Sequence, residues 1–195
     1  MGEERKPCVV CLGFFDGVHR GHQALLSAAR AEADRRGCAV VAHTFDRSPG
    51  NKGELLTSLP ERERLLKQYG ADDVAVSPFD EEMRRLPGDE FFRRIVMEKL
   101  HACHVVCGDD HRFGYKGGWG VRELRDLCEE AGIGLTVVPP VTMKNGMRVS
   151  STAVRAALAA GDEAAAADLL GRPVPPALRR AQQLRKALDS SAKIE

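Results

Sequence analysis

The chain has 195 residues with 29 basic and 28 acidic side chains, a formal charge of +1. That length fills one core and makes a second full domain a squeeze, and the interspersed charge gives no electrostatic footprint for nucleic acid or an anionic membrane. An anionic ligand must therefore be met by a local site. No apolar stretch approaches the roughly 20 residues that span a bilayer, and the start, MGEERKP, lacks the apolar region of a secretory signal. A cytoplasmic protein is expected, with its six cysteines (Cys8, Cys11, Cys38, Cys103, Cys107, Cys128) as reduced thiols and no disulfides.

Taken in chain order, apolar runs alternate with segments of helical period, the pattern of a parallel sheet covered by helices. The run 8–14 reads as a strand and 23–36 as a helix ended by Gly37; 39–45 is the second strand. After a Gly/Pro/Asn-rich loop, 60–69 reads as a helix with Pro60 in its first turn, and 74–77 as a short strand. An amphipathic helix over 89–100 precedes a strand at 105–108, a helix at 121–131 and a last strand at 135–138. Helices over 150–160 and 162–170 are separated by Gly161-Asp162, a terminating glycine followed by a capping acid. Pro173, Pro175 and Pro176 break the chain before an amphipathic helix over 177–188. The expected fold is α/β, a Rossmann-like parallel sheet with helices on both faces plus C-terminal helices; the main domain is 1–172 and the tail 173–195.

The stretch GFFDGVHRGH, residues 13–22, joins the first strand to the first helix. Ligands of open parallel sheets bind outside the carboxyl ends of the strands. Gly17 and Gly21 allow a tight turn and close backbone approach, and the helix N-terminus adds unpaired N–H groups and a positive dipole end. That is an anion site. His19 and His22, three apart, can meet on one side as a phosphate clamp, and bound polyphosphate favours their protonated forms. One histidine alone would read as a cap or a packed ring; two with intervening glycines at this junction argue against that. There is no G-x-x-x-x-G-K-S/T and no G-x-G-x-x-G after the first strand, and Asp16 with two histidines does not complete a zinc set.

A second segment, VSSTAVR at 149–155, offers three hydroxyls at a helix start and an arginine one turn on. Ser150 or Ser151 would cap the helix, leaving Thr152, free N–H groups and Arg155 for phosphate oxygens. Alone it is no more than a capping signal; with His19 and His22 it reads as the second jaw of one grip. Trp119 and Phe113 either stack on a bound ring or plug the core locally. HACHVVC at 101–107 reads as buried thiols with a surface histidine, because strand alternation sends Cys8 and Cys11 to opposite faces.

GFFDGVHRGH, TFDRSP, LLTS, GDDHRFG, RVSSTAVR and GDEAAAADLLGRP follow one another in an order and spacing that resembles the FMN adenylyltransferase module of bacterial bifunctional riboflavin kinase/FAD synthetases, of the HxGH nucleotidyltransferase superfamily. The resemblance covers about residues 8–175. It implies transfer of AMP from ATP to FMN with Mg²⁺, giving FAD and pyrophosphate. It also implies that His19, His22 and Arg155 are catalytic, and that Gly13, Phe14, Asp16, Gly17, Gly21, Gly108, Asp110, Phe113, Ser151 and Thr152 bind ATP. Asp110 would hold the metal with the ATP phosphates, and Thr44, Phe45, Asp46, Pro49 and His111 would approach the flavin.

An FMN phosphate is mostly dianionic at neutral pH, its second pKa being near 6, so no general base is needed and no Ser-His-Asp or Cys-His set is visible. The family's bifunctional members continue after LGRP into a riboflavin kinase domain. Only about twenty residues follow here, where such a domain would need on the order of 100, so none is expected. Ser48 stands where the family usually has His, His111 where Phe is usual, and Val121 where an acid or amide follows the last glycine; the loop 49–55 is short. The acceptor side has thus drifted more than the ATP side. Two alternatives follow: a relative using another phosphate-bearing acceptor, and a non-catalytic paralogue that binds ATP or flavin.

Overall fold

The computed structural model describes residues 6–50 and 54–179. Its first strand, β1 (Cys8–Leu12), is buried at every position, which only a central strand covered on both faces achieves. Four more strands join it: β2 (Ala39–Phe45), β3 (Asp73–Ser77), β4 (Ala102–Gly108) and β5 (Gly134–Val138). All pair in parallel in the order β3-β2-β1-β4-β5, with Val10 opposite both Val41 and Val105. The expected α/β parallel sheet is present.

Alternation along β1 sends its side chains into two cores. Val9 and Cys11 pack with Leu25, Leu26, Ala29 and Ala33 of α1 (Arg20–Arg36) and Leu65 and Leu66 of α2 (Leu59–Gln68). Cys8, Val10 and Leu12 pack with Phe91, Phe92, Ile95, Val96 and Leu124 on the opposite face. A short helix, α3 (Glu81–Arg85), follows β3 and was not expected from sequence. The opposite face is covered by α4 (Gly88–Phe91), a π-helical segment continuing from it over Phe92–Lys99, and α5 (Val121–Glu130). A third cluster joins α6 (Ser151–Ala160) and α7 (Glu163–Leu170) to Leu56, Val149 and Val174.

Strand β4 starts at Ala102, three residues before the expected 105, and three other differences from the sequence expectation have physical reasons. Strand β1 stops at Leu12 because the chain turns through positive φ at Phe15, Gly17 and Val18. Helix α1 starts three residues early because His19 caps it. The helix expected over 89–100 winds as π beyond Phe91, with Leu100 N–H donating to the Ile95 carbonyl at 3.0 Å. Bonding i to i+5 widens the repeat, so residues 91, 95, 96 and 100 all face the core. Most of the helix expected over 177–188 lies outside the described residues. No helix of those described is long and apolar enough to cross a membrane, and all six cysteines are free thiols.

Candidate active site

The loop from β1 to α1 is held by its buried apolar residues. Phe15 and Val18 are fully buried at positive φ (58° and 39°), so their side chains point into the core while the backbone bends back toward the sheet edge. Gly13 is required by crowding: a Cβ there would lie 2.9 Å from the Phe15 ring. Gly21 likewise leaves room for the His19 ring, 3.1 Å from where its Cβ would stand.

His19 is the N-cap of α1, its Nδ1 accepting the His22 N–H at 3.4 Å. An accepting Nδ1 carries no proton, which leaves Nε2–H as the donor. Burial, with the nearby Arg172 cation adding to it, pushes His19 down to about 4. The ring is therefore neutral at neutral pH. The His22 ring stacks on it, centroids 3.7 Å apart at 16°, and meets Phe15 edge-on at 5.2 Å. The two histidines do meet on one side.

Asp16 joins three segments. Only 3% exposed, its carboxylate accepts the N–H groups of Leu56 (2.8 Å) and Thr57 (3.1 Å) and the Thr57 hydroxyl (3.4 Å). It also pairs with the Arg155 guanidinium, whose Nε donates to the Glu54 carbonyl at 3.0 Å. The Ser151 hydroxyl donates to the Asp16 carbonyl oxygen at 2.8 Å, and Gly17 N–H to Thr57 Oγ1 at 3.1 Å. Ser150, not Ser151, caps α6 by accepting Ala153 N–H at 3.1 Å. Thr152 stands exposed on the first turn. The Val149 carbonyl lies 3.7 Å from a Cβ built at Gly21, so the N-termini of α1 and α6 are neighbours. With these partners the Asp16 carboxylate braces Arg155.

On the other side, Thr44 is fully buried and its hydroxyl donates to the Phe14 carbonyl at 2.9 Å. Asp46 accepts Phe79 N–H at 2.8 Å, which holds its carboxyl below the usual range. Pro49 is exposed and Phe45 half-buried, edge-on to Phe79 at 5.2 Å. Phe14, half-buried, has the Arg62 guanidinium 4.4 Å over its ring. At the end of β4, Gly108 leads to Asp109 and Asp110, which converge on Arg148 at 2.6 and 3.0 Å. His111 lies parallel to Phe113 at 5.7 Å, and burial pushes it down to about 4. Phe113 itself is in the core against Phe91 and Trp119. Trp119 lies over Gly88, where a Cβ would meet its ring at 2.3 Å. Phe113 and Thr44 are thus buried, and Trp119 is partly buried against Phe113 and Gly88.

The sequence model of the FAD synthetase family matches residues 1–153. The chain belongs to that family. Among its members, the bifunctional riboflavin kinase/FMN adenylyltransferase of Pseudomonas fluorescens is 39% identical over 181 residues, 87% of this chain and 56% of that protein. The chain spans about half the length of the curated relatives it matches. A crystal structure described as a macrolide-efflux protein from Streptococcus pneumoniae superposes with a TM-score of 0.78 at 30% identity, covering 88% of this chain and 57% of that one. Pantoate-beta-alanine ligase from Francisella tularensis, in complex with beta-gamma ATP and beta-alanine, shares the fold (TM-score 0.50, 14% identity, 80% and 70% covered).

Within this FAD synthetase-family site, Arg62, Thr57, Gln23 and Arg172 escaped the sequence reading. Arg62 is 0% exposed and bridges the Phe14 and Phe45 carbonyls at 3.2 and 2.8 Å, tying together the ends of β1 and β2. Its signal was present: residues 59, 62, 65 and 66 share one face of α2, so an arginine at 62 falls among core-facing leucines.

Proposed function

We propose that this chain is an FMN adenylyltransferase, transferring AMP from ATP to FMN to give FAD and pyrophosphate. The observation that carries the reading is the bracing of the α1 and α6 N-termini through Asp16, which brings the segment of His19 and His22 next to the segment of Ser151, Thr152 and Arg155. Family membership supports the same donor and acceptor.

In this reading the ATP phosphates lie across the two helix N-termini, where N–H groups and dipole ends favour negative charge. The FMN phosphate attacks the α-phosphorus, the bond to the β-bridging oxygen breaks, and pyrophosphate leaves with the electron pair. The attacking dianion needs no base. His19 donates through Nε2–H, and Thr152 and the α6 N–H groups take the outer phosphate oxygens. Arg155 reaches them with the terminal nitrogen that Asp16 and the Glu54 carbonyl do not hold. Alignment and charge neutralisation then supply the rate.

Two carboxylates at the end of β4, Asp109 and Asp110, already converge on one cation, the Arg148 guanidinium, and Mg²⁺ is commonly held by one or two carboxylates plus substrate phosphates, which supports an ion there. Asp110, with Asp109, would hold it. When bound, the ion neutralises charge on the transferred phosphoryl group and the leaving pyrophosphate. The six free thiols suit a cytoplasmic location.

The test incubates the purified protein with ATP, Mg²⁺ and FMN and follows FAD and pyrophosphate by chromatography. FAD formation at useful turnover is expected. Pyrophosphate release only with a different phosphate-bearing acceptor, or ATP binding with no product, refutes the assignment.

A further inference from the structure

Val18 is a β-branched residue at φ 39°, a conformation that such side chains adopt only when their surroundings enforce it. It immediately precedes His19, so the Val18–His19 peptide decides where the cap and its Nε2–H point. Two side chains converge on the Val18 carbonyl: Gln23 Nε2 donates at 2.9 Å and Arg172 at 3.3 Å. Gln23 Nε2 also donates to the Leu170 carbonyl at 2.7 Å, and Arg20 Nε donates to the Asp168 carbonyl. Gly171 closes α7 at φ 67°, and a Cβ there would stand 2.9 Å from Gln23 Oε1 and 3.0 Å from the Arg20 chain. The end of α7 is thus stitched across the start of α1 by several independent hydrogen bonds and a glycine that lets them approach. These α7 residues lie beyond the segment that the family's sequence model matches.

From this geometry we infer that Arg172 and Gln23 are positioning residues for phosphate binding, holding the Val18–His19 peptide in the orientation that aims His19 at ATP. The inference rests on the ATP reading of the site. Arg172 acts through the peptide it holds: its guanidinium is half-buried, and one terminal nitrogen is buried with no hydrogen-bond partner among the described residues. A strained peptide held by two donors is released when either is lost, so the effect falls on ATP and spares FMN.

The experiment measures the Kd of a non-hydrolysable ATP analogue with Mg²⁺ by calorimetry, and the KM values for ATP and FMN from FAD formation. The proteins are the full chain, Arg172→Met, Arg172→Lys and Gln23→Leu. Arg172→Met and Gln23→Leu are expected to weaken ATP about tenfold or more, the scale of a lost charge-assisted or buried hydrogen bond. KM for FMN should stay within about twofold, and Arg172→Lys, which keeps a donor, should recover most of the loss. Arg172→Met or Gln23→Leu binding the analogue as the parent does overturns the inference. So does an equal loss for both substrates that Lys fails to rescue, which is the mark of a general packing role. If Arg172→Met does not fold, Gln23→Leu, on a half-buried side chain, decides by the same criteria. A parent chain that binds no ATP analogue overturns the ATP reading and this inference with it; a parent that binds, with unaltered variants, overturns this inference alone.

Discussion

Replacing Asp16 by asparagine isolates the charge at the junction of the two jaws while keeping its shape. The substituted amide would retain an oxygen for the Leu56 and Thr57 N–H groups but would turn an NH₂ toward the Arg155 guanidinium, donor against donor. Removing one partner of a buried pair costs about 3–5 kcal/mol. The Arg155 side chain is 23% exposed and keeps its bond to the Glu54 carbonyl, so the expected loss is near the lower end, about 3 kcal/mol. For a chain of this size that lowers Tm by about 6–12 °C. Urea unfolding at about pH 7.5 measures the single variants Asp16→Asn and Arg155→Met and the double variant. Because the two side chains touch, the double variant should cost less than the sum by about 2 kcal/mol, and kcat/KM for ATP should fall in Asp16→Asn by about tenfold or more. Strict additivity, or a single-variant change within about 0.5 kcal/mol, refutes the claim that Asp16 joins the jaws.

His22→Ala is expected to lower turnover about 10²-fold or more with an unchanged circular-dichroism spectrum; full activity would remove His22 from the reacting centre. Burial pushes His43 down to about 3 and His19, His104 and His111 to about 4, against an ordinary value of 6.5. The unfolded chain thus takes up protons in a window where the folded chain does not. These rings' contribution to stability is full above about pH 6.5 and is lost as pH falls from there toward 4; urea midpoints across that range that stay flat refute it. Gly88→Ala should lose about 1–3 kcal/mol by overpacking, because the new Cβ would meet the Trp119 ring at 2.3 Å; an unchanged Tm would mean that Trp119 moves freely.

The strands were legible because each is an apolar run bounded by turn residues, and the histidine pair because glycines flank it at a strand-to-helix junction. The bracing by Asp16 was not legible, because its partners Leu56, Thr57 and Arg155 are distant in sequence. For Phe113 and Trp119 the sequence left ring stacking and local packing open, because their packing against Phe91 and Gly88 comes from distant parts of the chain. The π winding after Phe91 is invisible to a 3.6-residue template, although the spacing of 91, 95, 96 and 100 records it. Helix α3 had a signal that periodicity misses: Asp80 caps by accepting Met83 N–H at 2.9 Å, two glutamates follow, and two arginines close it.

The strand order bears on how the chain comes off the ribosome. Strands β1, β2 and β3 are neighbours in synthesis and in space, but the other edge of β1 waits for β4, with Cys8 pairing to Ala102. Until then the nascent chain presents CVVCL, apolar along its whole length, as an open edge that can pair with another chain. The braces on the α1 N-terminus are later still, because Ser151, Arg155 and Arg172 follow every strand. The nascent sheet is therefore complete before the α1 and α6 N-termini are braced together, and premature termination after β5 leaves a sheet without that brace.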